Sequence, residues 1–137
     1  MGAFVANKKF AAAMEPGDHG STYGGNPMAG QACRTVFKIL EDTKMIDHVQ
    51  DISEYLIEKL DDLQEEFPCI KERRGLGLMI GLEFDKPVKD IVKTCLDLGL
   101  IVVTAGPHVV RMLPPFITNE KDVDQAIAIL KEAIEKN

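Results

Sequence analysis

The chain has 137 residues, of which 45% are hydrophobic, and it carries a formal net charge of −6 at neutral pH. This length and composition suit one ordinary globular domain with its own core, and no apolar run reaches the ~20 residues that a membrane span needs. Because the acids are scattered and the N-terminus lacks the pattern of an export signal, we expect no nucleic-acid partner, no membrane partner and a cytoplasmic location.

The first predicted elements are short. Residues 2–6 form an apolar run that is typical of a buried strand, and residues 10–14 have the pattern of a short amphipathic helix. Lys8 and Lys9 stand at the start of that helix, next to each other and next to Asn7. Adjacent solvated lysines have no reason to carry the lowered pKa of a catalytic amine, so we expect no catalytic role for them.

A glycine-rich segment follows, with the sequence GDHGSTYGGNP at residues 17–27. Its glycines allow a close approach of the backbone to a ligand, and Ser21 and Thr22 add two hydroxyl donors. Asn26 followed by Pro27 is a helix-start signal. The combination suits a phosphate or another anion, although no lysine accompanies the hydroxyls as in a nucleotide P-loop. On the residues alone, a ligand loop and a connector that caps a helix both stay open.

Two helices are predicted after this loop. From Pro27 onward, apolar residues recur at spacings of three and four until a helix end near residues 42–43. In the second helix, apolar residues from Val49 to Leu63 form one stripe, acids mark the opposite face, and Pro68 ends the helix.

The remainder of the chain predicts a β-α-β-β-α pattern. Residues 76–84 alternate large apolar residues with mostly small ones, which is typical of one strand with helices on one face and a closely approaching partner on the other. A helix from Asp85 to a stop at Gly99 follows, and then strands at 100–103 and 109–113. Thr118 or Asn119 caps a last helix. The fold class is therefore α+β: two N-terminal helices, then a small antiparallel or mixed sheet of three or four strands with helices on one face.

The cysteines and histidines do not form a pattern typical of a metal site. The three cysteines share no Cys-x-x-Cys or Cys/His spacing, which argues against a disulfide framework and against zinc. Cys33, Cys69 and Cys95 lie among apolar neighbours, so we interpret them as small hydrophobic residues. The histidines are scattered, and we expect His48 on the surface. We predict no metal ligands.

The segment GDHGSTYGGNP resembles the corresponding segment of class III pyridoxal-phosphate aminotransferases. The resemblance continues through RGLGLMIG at residues 74–81, Thr-Ala-Gly at 104–106 and VRMLPP at 110–115, so it covers essentially the whole chain. The order of these strings is typical of the subgroup that acts on ornithine and its acylated derivatives. The resemblance implies transfer of an amino group from such a basic amino acid derivative to a keto acid, with pyridoxal phosphate as cofactor.

The resemblance also implies a domain organisation. Residues 1–25 correspond to a remnant of the large cofactor-binding domain with the ligand loop, and residues 26–137 to the C-terminal small domain of a fold-type I aminotransferase. In the family, the lysine that forms the Schiff base with the cofactor precedes the segment that residues 2–6 resemble. We therefore expect no catalytic residue in this chain, no activity of the chain alone, and no bound cofactor on it.

The resemblance gives functional roles to residues of the ligand loop. It implies that the Thr22 hydroxyl bonds the cofactor phosphate in the neighbouring subunit, so that the 17–26 loop reaches across a homodimer. It places Ser21 where the small amino acid substrate passes. For both hydroxyls, local bonding to the turn backbone is the alternative.

Three arginines complete the candidate residues. Arg111 stands mid-strand, where an unpaired cation should point at a carboxylate or a cleft. The resemblance implies that it helps to hold a substrate carboxylate or pairs with an acid near the active-site entrance, and a structural salt bridge within this domain stays open. Arg73 and Arg74 are expected to be solvated or paired with Glu72 and acids of the second helix. A stand-alone α+β module that binds an effector or a partner protein is the alternative to an enzyme.

Overall fold

The computed structural model describes residues 5–15 and 17–137, and its chain divides into two units, residues 1–43 and 44–137. The apolar run 2–6, predicted as a strand, lies largely outside the described residues. The division between residues 43 and 44 follows the helix at residues 27–42. The boundary between residues 25 and 26 concerns the complete enzyme and stays a prediction.

The described part of the first unit contains helices α1 (Lys8–Ala11) and α2 (Pro27–Asp42). The Asn26 side chain accepts hydrogen bonds from the backbone N–H groups of Met28 and Ala29 at 2.9 and 3.2 Å, and Pro27 occupies the first turn. The predicted helix start is therefore confirmed. No described residue of this unit is buried, so its described part has no core of its own.

The second unit contains three helices and four strands in the described chain. They are α3 (Met45–Glu66), β1 (Ile70–Leu76), β2 (Met79–Phe84), α4 (Lys89–Asp97), β3 (Val103–Thr104), β4 (Val109–Met112) and α5 (Glu120–Glu135). The strands form one antiparallel sheet in the order β1-β2-β4-β3. The α+β class and the four-stranded alternative are confirmed, and the sheet is antiparallel.

The core lies between the sheet and the helices. Helix α3 packs against α5 and β1, and α4 packs against α5 and β3. Along β2, Ile80, Leu82 and Phe84 are buried and alternate with more exposed residues, as period two requires for a sheet covered on one face. Leu60 of α3 and Leu130 of α5 are completely buried in the same cluster. The helices of the second unit therefore lie on one face, as predicted, and the other face, called the open face below, carries none of them.

The single strand predicted over residues 76–84 is wrong, because the chain reverses inside it. Leu76 pairs with Met79, and the two residues between them form the loop of the β1–β2 hairpin. Gly77 adopts a φ of +58°, the positive value that a two-residue hairpin loop with glycine at its first position requires. Leu76 is 90% exposed while Leu78 is buried.

The strand predicted at 100–103 is shorter and begins later. Strand β3 contains only Val103 and Thr104, paired with Arg111 and Val110 of β4. Strand β4 ends at Met112, because Pro114 and Pro115 have no N–H groups to extend the ladder.

Two helix starts are also settled. Helix α4 begins at Lys89, four residues later than predicted, and the buried Val88 is its N-cap. Asn119 caps α5, since its side chain accepts from the N–H groups of Lys121 and Asp122, and the Asp122 side chain accepts from the Asn119 N–H at 3.0 Å. This reciprocal pair is a capping box.

His48 is half-buried, so its predicted surface position is wrong. Its Nε2 lies 2.9 Å from the Thr118 carbonyl oxygen, next to the start of α5. Cys95 is completely buried, and Cys33 and Cys69 are half-buried. None of the helices in the described ranges combines the length and hydropathy that a membrane crossing needs.

Candidate functional site

The glycine-rich loop closes into tight turns just before α2. The Gly24 N–H donates to the Ser21 carbonyl at 3.2 Å, and the Asn26 N–H donates to the Tyr23 carbonyl at 3.3 Å. Gly25 has a φ of +70°, a conformation that glycine adopts without steric cost. Ser21 and Thr22 are exposed at the start of this turn, so their hydroxyls are accessible to a ligand.

The hydroxyls of Ser21 and Thr22 make no hydrogen bond that stabilises the fold of the described chain. Thr22 makes no hydrogen bond to any described residue, and Ser21 accepts the Gly24 N–H through its backbone carbonyl, not its hydroxyl. Local bonding of the hydroxyls to the turn, the alternative to a ligand role, is therefore not observed among residues 5–15 and 17–137. No acidic side chain occurs between Gly20 and Pro27. A donor set of neutral hydroxyls without carboxylates fits the chemistry of a phosphate group.

A second candidate site lies on the open face of the sheet. Gly81 of β2 is the Cα partner of Arg74 on β1 and of Arg111 on β4. The two arginines therefore flank a glycine in one row across the face. A cavity of about 280 Å³ surrounds the row, lined by Arg74, Gly75, Met79, Ile80, Gly81, Ala105, Val109 and Arg111.

The two arginines of this row differ in their partners. Arg74 donates to Glu72 at 2.7 Å and also to Glu83, and the bond to Glu83 raises the pKa of the Arg74 guanidinium. Arg111 is exposed and has no ion pair with any described residue. The structural salt bridge considered for Arg111 is therefore not observed in the described chain. Its guanidinium can accept an external anion.

Arg73 points to the other face and has a structural role. Its Nη2 lies 3.0 Å from Asp61 Oδ2 of α3, and this contact raises the pKa of the Arg73 guanidinium. Of the two expectations for Arg73 and Arg74, solvated or paired, pairing is confirmed: Arg73 pairs with an acid of α3 and Arg74 with Glu72. The second partner of Arg74, Glu83 on β2, was not predicted. The only cation of the open-face cavity without an acid partner among the described residues is Arg111.

The candidate residues thus belong to two separate sets. Ser21 and Thr22 are adjacent in the first unit, and Arg111 lies in the second unit beside Arg74 and Gly81. The place of Gly81 between two arginines was not predicted from the sequence. The signal was Gly77, which starts the hairpin loop that sets the pairing of β1 with β2.

Comparison with known proteins identifies the family. Residues 1–134 match the family described as aminotransferase class-III. The chain belongs to the class-III aminotransferases. It is similar to the acetylornithine aminotransferase of Clostridium acetobutylicum, with 42% identity over 98% of this chain and 35% of that protein. It is also similar to that of Gloeobacter violaceus, with 41% identity over 96% of this chain and 33% of that protein. This aminotransferase chain therefore spans about a third of the length of these relatives.

Solved aminotransferase structures share its fold. The ornithine δ-aminotransferase of Plasmodium falciparum superposes with a TM-score of 0.84 and 28% identity over 96% of this chain and 35% of that one. A lysine aminotransferase of M. tuberculosis superposes with a TM-score of 0.80 and 27% identity over 88% of this chain and 28% of that one. The predicted family and fold are confirmed.

Proposed function

We propose that this chain is the C-terminal part of a pyridoxal-phosphate-dependent acetylornithine aminotransferase. The complete enzyme would transfer the amino group of N-acetylornithine to 2-oxoglutarate in arginine biosynthesis, in the cytoplasm. The observation that carries the proposal is the 42% identity to an acetylornithine aminotransferase across 98% of the chain. Ornithine or succinylornithine is the second candidate donor, and the structural similarity to an ornithine aminotransferase favours ornithine among these two.

The glycine-rich loop is proposed to hold the cofactor phosphate. Thr22 would donate its hydroxyl hydrogen bond to a phosphate oxygen, and Ser21 would lie along the path of the substrate. In support, both hydroxyls are exposed and lack hydrogen bonds within the described chain. When bound, pyridoxal phosphate supplies the electron sink that amino-group transfer needs.

The loop is further proposed to act across a homodimer. Residues 17–26 would reach the active site of the neighbouring subunit, where Thr22 would meet the phosphate. No described residue of the first unit is buried, so the described loop is available for contacts with the rest of the enzyme. A loop that needs a second subunit would tie cofactor binding to assembly.

Arg111 is proposed to bind a carboxylate of the substrate. N-acetylornithine and 2-oxoglutarate both carry carboxylates, and a guanidinium binds a carboxylate through two parallel hydrogen bonds. The support is the exposed position of Arg111 and its lack of an acid partner among the described residues. Its place on a strand, hydrogen-bonded on both sides to β2 and β3, would keep its backbone in a defined position.

The lysine that binds the cofactor covalently is proposed to lie outside residues 1–137. This chain would then contribute binding and orientation, and the chain alone would be inactive. An assay of the 137-residue chain with pyridoxal phosphate and both substrates tests this point. Turnover that one lysine substitution in the chain abolishes would contradict it.

The substrate proposal is tested on the complete protein. The kcat/KM for N-acetylornithine, N-succinylornithine and ornithine is measured with 2-oxoglutarate as acceptor. We expect N-acetylornithine to be preferred by about tenfold or more, which corresponds to ~1.4 kcal/mol of transition-state discrimination. A preference for ornithine would favour the second candidate. No amino transfer from any of the three would refute both, and would leave the stand-alone binding module.

A further inference from the structure

Gly81 lies between two arginines on the open face of the sheet. Its Cα partners are Arg74 on β1 and Arg111 on β4. Residues directly opposite each other in antiparallel strands present their side chains on the same face. Because neighbouring strands are ~4.8 Å apart, the two arginine Cα atoms are separated by roughly 10 Å with no side chain between them.

The backbone does not require glycine at this position. Gly81 is not among the residues with positive φ, so an L-amino acid can adopt its conformation. A Cβ added there would lie 3.2 Å from Val109 Cγ1 and 3.8 Å from the Arg74 carbonyl oxygen. A larger residue at position 81 would therefore press on the Val109 side chain and fill part of the space between the arginines.

The charge around this space favours one anion. Arg74 is neutralised by Glu72 and Glu83, whereas Arg111 has no acid partner in the described chain. The other walls include the apolar side chains of Met79 and Val109. One uncompensated guanidinium beside a slot with apolar walls suits a single carboxylate.

We propose that Gly81 is a specificity-determining residue, because the space above it seats the substrate carboxylate that Arg111 binds. Arg74 is held by its two acids, so it lines one side of this space and does not bind the carboxylate. The inference rests on the proposed role of Arg111 in substrate binding. It adds a size limit to that role, since any side chain at position 81 would occupy the carboxylate's place.

The test measures competitive inhibition of the complete enzyme by glutarate, a dicarboxylate without a reacting carbonyl group. Arg111→Ala removes one charged hydrogen-bonding partner and should raise the Ki about tenfold or more. Gly81→Val should raise the Ki by a similar factor, and Gly81→Ala by less.

A double-mutant cycle separates this role from packing. In the Arg111→Ala background, Gly81→Val should change the Ki less than about twofold, since the guanidinium that holds the carboxylate in this space is already absent. Gly81→Ala adds a single methyl group and carries the test if Gly81→Val does not fold. Its Ki should rise in the parent background and change less than about twofold in the Arg111→Ala background.

The outcomes are distinguishable. If Arg111→Ala raises the Ki and the position-81 variants leave it unchanged, the inference about Gly81 is overturned and the role of Arg111 stands. If the effects of Gly81→Val and Arg111→Ala add, Gly81 acts through packing and the inference is also overturned. If Arg111→Ala itself leaves the Ki unchanged, the proposed role of Arg111 fails and the carboxylate seat fails with it.

Discussion

Replacing Thr22 by alanine in the complete enzyme should weaken cofactor binding and leave the fold almost unchanged. Thr22 is exposed and makes no hydrogen bond within the described chain, so its loss should change the free energy of unfolding by less than about 0.5 kcal/mol. A hydrogen bond to a charged phosphate contributes ~1.5–3 kcal/mol, which corresponds to a roughly ten- to hundredfold higher Kd for pyridoxal phosphate. The expected change therefore lies in affinity.

The assay is a titration of the cofactor-free enzyme with pyridoxal phosphate, followed by absorbance, with melting of the cofactor-free protein as the stability measurement. Thr22→Ser keeps the hydroxyl and should keep most of the affinity. Ser21→Ala removes the adjacent hydroxyl and should leave the Kd of the cofactor unchanged. An unchanged Kd in Thr22→Ala would refute the phosphate role, and a large loss of stability would show that the hydroxyl serves the fold.

Subunit mixing tests whether Thr22 acts across the dimer. The Thr22→Ala variant is mixed and reassembled with a variant that is disabled only at the cofactor-binding lysine. If Thr22 serves the neighbouring active site, the mixed dimer contains one site with both groups intact, and activity returns. If Thr22 serves its own subunit, each site of the mixed dimer keeps one defect. No recovery in verified mixed dimers would count against the cross-subunit role.

Three further predictions concern the fold. Leu60→Ala empties a completely buried position of α3 and should lower the free energy of unfolding by ~2–5 kcal/mol in chemical denaturation; a loss under ~1 kcal/mol would contradict the packing described. Burial raises the pKa of the Cys95 thiol from 9.0 to about 11. Between these values only the unfolded thiol ionises, so the free energy of unfolding should fall as pH rises through this window, and Cys95→Ala should remove that component. The isolated chain should self-associate through the exposed apolar residues of α2, including Met28 and Phe37, since burial contributes ~25 cal/mol per Å². A monomer at all concentrations in light scattering would oppose this.

The long helices could be predicted from the sequence because two independent signals coincide in each. In α2, the spacing of apolar residues agrees with the Asn26-Pro27 start, and in α3 the apolar stripe ends just before Pro68. In α5, Asn119 is one of two predicted caps, and the bonds that its side chain accepts, together with the bond from its N–H to the Asp122 side chain, decide in its favour. The spacing of apolar residues and the residues that start or end a helix are local features of the sequence, so these helices can be predicted without tertiary information.

The hairpin could not be predicted from alternation, because the apolar pattern continues through the turn. Leu78 is buried although it stands in the loop, so residues 76–84 alternate without a visible break. Gly77 fits a face of small residues as well as it fits a turn, and its positive φ is visible only in the structure. The pairing of Arg74 with Gly81 depends on this turn. The open-face cavity was therefore beyond prediction, although Arg111 itself was a candidate.

The two candidate sites differ in what holds them in place. Arg111 extends from a strand whose neighbours Val110 and Met112 are buried, so the core of residues 44–137 fixes its backbone. Thr22 stands in a unit with no buried residue among those described, and the turn around it is closed by backbone hydrogen bonds such as that from the Gly24 N–H to the Ser21 carbonyl. Because a binding group must be held within a fraction of an ångström to contribute its full hydrogen bond, the loop needs packing partners from elsewhere in the enzyme. Under the proposed function, substrate recognition by Arg111 would thus depend on the folding of this chain, and cofactor recognition by Thr22 would depend on assembly.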